Sequence, residues 1–233
     1  AKYRTAQQYL RETTRFGFIE DTFDTVLSVA FILLGGFNLA DTLARGAVSG
    51  EVLTGLFFAG ILILGAKIIG TPFDVYDTFV IEEKYGFNRT TPRTFVLDFF
   101  KSLLLNAILG GAVFALVVRV FDAAGPRAWL YCWGAVFAFQ LVILFVAPYI
   151  ILPLFNKFEP LAEGPLRTAI EDYARRRGFA MKGVFTMDGS KRSSKTNAFF
   201  TGFGRSRRIV LFDTLIAAHT VEELVAIVAH EMG

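Results

Sequence analysis

Four stretches of this sequence carry no charged side chain: residues 25–40, 52–66, 102–118 and 128–156. A helix needs roughly 20 largely apolar residues to cross a bilayer. The first three runs reach that length once Asp24, Asp41, Lys67, Lys101 and Arg119 are placed at the interfaces, where long basic side chains extend toward water. The fourth is long enough alone, with Pro148 and Pro153 expected to kink or end it. Four such runs within about 150 residues would overfill a soluble core, and 54% hydrophobic residues with 26 Phe and only 19% charged residues agree. The expected partner is therefore the lipid bilayer. Ahead of the runs, residues 1–21 set Lys2, Arg4, Arg11 and Arg15 among aromatic and aliphatic residues, the pattern of a basic amphipathic helix leading to a membrane surface.

Charge also sets the expected orientation. The N-terminal segment, the 71–98 connection with Lys84, Arg89 and Arg93, and the polar C-terminal region fall on one side of the membrane. The short loops near Arg45 and around Arg119 and Arg127 fall on the other and are poorer in positive charge. Excess Lys and Arg marks the cytoplasmic side, so both ends are expected there. The net charge of +3 is small and its basic residues are scattered among apolar runs, which excludes a nucleic-acid-binding face. The single cysteine, Cys132, forms no intrachain disulfide.

The 71–98 connection reads as a long cytoplasmic loop, in which Glu82, Glu83, Asp74 and Asp77 suit a solvated surface better than a metal. After it and the last apolar run, the composition changes. The expected division is a membrane-helix region over 1–157 and a cytosolic α+β region over 158–233. In the latter, Pro160–Arg177 reads as a charged amphipathic helix closed by Gly178. Gly183–Met187, Thr196–Gly202 and Arg208–Phe212 read as strands, with a polar turn at Ser190–Lys195.

The last stretch, TVEELVAIVAHEMG, begins with a capping box, Thr220 and Glu223, and sets Val221, Leu224, Val225 and Val228 at helical spacing. His230-Glu231 opens the pattern H-E-x-x-H, in which two histidines one turn apart hold zinc and the glutamate activates its water. The second histidine would be residue 234. Taken alone, the pair is better read as an ordinary helical histidine on the surface or in the core. Asn197-Ala198-Phe199-Phe200 has the composition of an edge strand that could take an extended peptide as an added strand, or of a plain amphipathic strand.

Together these stretches resemble the type 1 CAAX prenyl protease family of integral-membrane zinc metallopeptidases. The resemblance runs from Pro148 through PLFNKFEPL, MDGSKRSSKTNAFFTGFG and RRIVLFDTL to AHEMG, and includes VYDTFVIEEKYGFNRTT. It implies a mainly α fold, polytopic membrane helices followed by a small α+β zinc-metallopeptidase region that is incomplete here. It also implies His230 as the first zinc ligand, Glu231 as the general base, and Asn197 and Ala198 on the substrate-binding edge strand. Zinc is the implied cofactor, facing the cytosol, and peptide or protein chains, including prenylated ones, are the implied substrates. The family's second histidine and downstream glutamate ligand lie outside these 233 residues, so the chain is expected to be an inactive fragment. Lys195 stands where many relatives carry His, and no role is given to it. The four apolar runs would be the family's second to fifth membrane helices.

Two other readings stay in view. A heat-shock-type membrane metallopeptidase shares the zinc helix but has fewer membrane helices before it. A non-catalytic scaffold or transporter segment needs no zinc, although transport would favour charges at the centres of the apolar runs, which hold none.

Overall fold

The computed structural model describes residues 2–202 and 207–232. It comprises two compact units, Ala1–Asn88 with Phe99–Phe137, and Arg89–Asp98 with Ala138–Gly233. The architecture is mainly α, with long apolar helices followed by a small mixed sheet, as the sequence predicts.

In the first unit α1 (Lys2–Leu33) and α2 (Gly36–Ala47) meet at a 67° bend. Gly35 sits there at φ 73°, a left-handed conformation that favours glycine. Gly36 beside it leaves the space taken by the Phe31 ring, 2.4 Å from where a Cβ would lie. The 25–40 run is therefore two helical arms and not one straight helix, because the Gly-Gly pair breaks it. α2 packs on α3 (Glu51–Tyr76), and its buried residues are Gly36, Ala40 and Ala44, four apart, the small-residue stripe that lets helix backbones approach in lipid.

The helical ladder of α3 runs on as a π turn over Asp77–Glu82. This corrects the 71–98 loop: helix continues to Lys84 and resumes at Pro92. The reason lies in what the aromatic and acidic residues touch. Phe16 of α1 stacks on Tyr76 at 4.9 Å, Phe23 meets Phe73 at 5.1 Å, and the Tyr9 hydroxyl donates to Glu82 at 2.5 Å. Helical backbone presents these groups to α1 in register. Glu83 accepts from the Asn88 amide at 3.0 Å and Asp74 pairs with Lys67 at 2.7 Å, so these acids serve packing.

Among the described residues two helical runs are long and apolar enough to cross a bilayer, Glu51–Glu82 and Pro92–Phe155, and α1 with α2 meet the same test as a bent pair. The second run comprises α4 (Pro92–Ala124), a 3-10 turn at Gly125–Arg127, and α5 (Ala128–Val146). It then continues through a π turn at Ala147–Ile151 into α6 (Leu152–Phe155). It is not a single rod. Cys132 Sγ lies 3.8 Å from the Val117 carbonyl oxygen, whereas fifteen residues of straight helix would separate them by about 22 Å. The chain doubles back at the Gly125 turn. Pro148 lies inside the π turn and Pro153 opens α6, whose end closes the apolar run.

In the second unit β1 (Phe158–Pro160), β2 (Gly183–Met187), β3 (Ala198–Thr201) and β4 (Arg208–Phe212) form one sheet in the order β1-β2-β4-β3. β2 and β4 are parallel, and the two outer pairings are antiparallel. The helix expected over 160–177 is α7 (Pro165–Arg176). Pro160 belongs to β1 instead, because Gly164 and Pro165 set the helix start, with proline at a first-turn position where its missing N–H costs nothing. Gly178 closes α7 at φ 66°. α8 (Asp213–Ala218) and α9 (Val221–Met232) complete the unit. Its core joins Ile170, Val184, Ile209, Leu211, Leu224 and Val228.

Candidate functional site

α9 starts with its predicted cap. The Thr220 N–H donates to Glu223 Oε2 at 2.9 Å, and the Glu223 N–H donates to Thr220 Oγ1 at 3.4 Å. The Thr220 N–H, followed by His219, holds the Glu223 carboxyl below the usual carboxylate range. With its start fixed, the helix buries Leu224 and Val228 in the core and packs against α7 and β3. His230 lies about 200° round the helix from Val228. Both His230 and Glu231 are exposed at the last turn.

β3 is an edge strand, as predicted. Its register pairs Ala198 with Leu211 and Phe199 with Val210. The Phe212 N–H donates to the Asn197 carbonyl at 3.0 Å. Alternation along an antiparallel ladder then turns the backbone groups of Ala198 and Phe200 toward the open edge. The Ala198 N–H is already met by Asn197 Oδ1 at 2.9 Å. The Ala198 carbonyl and the backbone groups of Phe200 therefore face away from β4. Asn197 itself is exposed and Ala198 buried.

The turn leading into β3 is held by residues that the sequence did not single out. Asp213 accepts from the Ser190 N–H and Thr214 N–H at 2.8 Å each, and from the Ser190 hydroxyl. Thr214 Oγ1 donates to the Lys195 carbonyl at 2.9 Å. Arg192 donates through Nε to Asp98 at 2.7 Å, through Nη1 to Asn156 at 2.8 Å and through Nη2 to the Phe155 carbonyl at 2.8 Å. Its own carbonyl accepts from the Arg89 N–H at 2.9 Å. One guanidinium therefore ties its own turn to two other segments of this unit, at Asp98 and at Phe155–Asn156. Nothing local to residue 192 signals that, because its partners lie 36 and 94 positions away.

A catalytic zinc centre takes three protein ligands and keeps a fourth position for water. The chain has two histidines. His219 lies eleven residues before His230, about 16 Å along a helix axis, and its Nδ1 is 3.3 Å from Glu223. Among the described residues no group of three His, Cys, Asp or Glu side chains could hold a metal ion. His230 fits as one exposed nitrogen donor, and these residues do not complete a site around it.

Comparison with known proteins gives a consistent picture. The profile for the CAAX prenyl protease N-terminal region, described as five membrane helices, matches residues 1–157, and that for peptidase family M48 matches residues 160–233. The chain is similar to the probable CAAX prenyl protease 1 of Schizosaccharomyces pombe, 38% identical over 245 residues that cover 100% of this chain and 52% of the relative. It is similar to the CAAX prenyl protease 1 homolog of Oryza sativa subsp. japonica, 38% identical over 240 residues, 100% of this chain and 56% of that one. Among solved structures it resembles S. mikatae Ste24p, with a TM-score of 0.92 at 36% identity over 99% of this chain and 55% of the other. The chain thus spans about half the length of the relatives it matches.

Proposed function

We propose, given that this chain belongs to the CAAX prenyl protease family within the M48 peptidases, that the whole protein is a membrane-embedded zinc-dependent endopeptidase. The observation that carries this reading is the capped helix α9, which packs against edge strand β3 and exposes His230 and Glu231 at its last turn. In this reading residues 1–157 are the membrane region and 158–233 the peptidase region, on the cytosolic side. His230 contributes one imidazole nitrogen to the metal. Zinc, when bound in the whole protein, would supply a water of lowered pKa and would polarise a peptide carbonyl. The Glu231 carboxylate takes the proton of the attacking water. Asn197 and Ala198 hold the substrate backbone by strand addition. Because the Asn197 amide caps the Ala198 N–H, substrate entry swings that side chain out and frees the donor. The substrate class carried over from the relatives' name is a polypeptide with a prenylated C-terminal CAAX sequence. The 233 residues alone hold too few donors for a catalytic centre, so the activity is assigned to the whole protein.

The test is Glu231→Gln in the whole protein. Peptide cleavage should fall by at least about a thousandfold with zinc retained, since the base is lost and the ligand kept. Unchanged turnover would remove Glu231 from the mechanism.

A further inference from the structure

The first unit has a feature that peptide hydrolysis does not use. At about 100° per residue, Arg4, Arg11 and Arg15 of α1 fall within about 40° of arc. All three are exposed, and Arg11 and Arg15 have no hydrogen-bond or ion-pair partner among the described residues. The acids Glu20 and Asp24 lie on the opposite side of the same helix. Arg11 and Arg15, one turn apart, line a cleft of about 780 Å³ whose far wall includes Tyr76 and Lys84. The one carboxylate lining it, Glu12, is occupied by Lys84 Nζ at 2.7 Å and the Tyr85 hydroxyl at 2.6 Å. The cleft keeps a positive balance.

Along the same face the helix turns apolar. Phe18, Ile19, Val26 and Leu33 are each more than three-fifths exposed. Ile19 is shared between the basic cleft and a second hollow of about 530 Å³, lined by Phe18, Thr22, Phe23 and Val26. The surface therefore passes from paired guanidinium groups to bare hydrocarbon within a few turns.

We propose that this face binds an anionic phospholipid, with Arg11 and Arg15 on its phosphate and an acyl chain along Ile19, Phe23 and Val26. Guanidinium groups meet phosphate oxygens in a bidentate geometry, and two of them one turn apart can share one phosphate. Basic residues at a membrane edge draw anionic headgroups, and the apolar half of the face is covered by the lipid's own tail. A protein helix laid here instead would have to bury two unpaired arginines.

Native mass spectrometry of the whole protein, released from micelles holding equal phosphatidylglycerol and phosphatidylcholine, tests this. The wild type should retain phosphatidylglycerol selectively. Arg11→Gln with Arg15→Gln should weaken retention about thirtyfold, and Arg11→Lys with Arg15→Lys should keep most of it. Free glycerol phosphate should not displace the lipid, since it lacks the tail. Equal retention of both lipids, unchanged retention in the glutamine variant, displacement by glycerol phosphate, or no bound lipid because protein fills the cleft would each overturn the proposal. The wild-type lipid comparison stands alone if the glutamine variant does not fold.

Discussion

Arg192 shows what a single side chain can hold in this fold. It and Asp98 are about one-quarter and one-fifth exposed, and the guanidinium uses three nitrogens on three acceptors. Arg192→Leu removes those bonds and leaves Asp98 half-buried and unpaired, a cost of about 2–3 kcal/mol. The midpoint of thermal unfolding in detergent should fall by about 4–10 °C. Arg192→Lys, with one ammonium for three acceptors, should recover only part of it. A midpoint unchanged in the leucine variant would show the hub to be dispensable. At this scale the sequence was legible where chemistry is local. The placement of His230 on the side of α9 away from the core follows from the spacing of Leu224 and Val228. Glu231, seven residues after Leu224, shares their face and is exposed only because it sits in the last turn. Arg192 was not legible, because its partners come from segments far apart in the chain.

Among the elements, α9 is the one whose start could be read directly, since a capping box is three residues long and needs no tertiary partner. Thr220→Ala should cost about 1 kcal/mol and speed hydrogen exchange at the first-turn amides. The pH dependence has a defined sign. The folded pKa of Glu223 lies below its unfolded value, so its contribution is present above the ordinary carboxylate range and is lost as pH falls through the lowered folded pKa. First-turn protection should therefore fall on acidification, and Glu223→Gln should flatten that response. The same slope in both proteins would mean another group sets it. Elements that depend on neighbours are not legible in the same way. Residues 71–84 look like loop by charge, yet are helical because Phe73, Tyr76 and Glu82 meet α1. α7 starts five residues after Pro160, because proline gives the same signal at the edge of a strand as at the start of a helix.

For the whole molecule, the long apolar runs announced a membrane protein, since no soluble core of this size could absorb them. The bend at Gly35 and the fold-back at Gly125 decide how many arms they make, and glycine in a sequence does not state which way a chain turns. The proposed orientation has its own check. With Cys132 replaced by serine, cysteines placed at Arg89 and at Ser49 should react with an impermeant thiol reagent from opposite faces of the membrane, Arg89→Cys from the cytosolic one. Labelling of both from one face would contradict the assignment. The reading of this chain as part of a zinc peptidase rests finally on His230. The deciding measurement is the metal content, by elemental mass spectrometry, of the whole protein and of its His230→Ala variant purified identically. About one zinc per wild-type chain and nearly none in the variant is expected. Equal zinc in the two would contradict the assignment of α9 as the metal-binding helix.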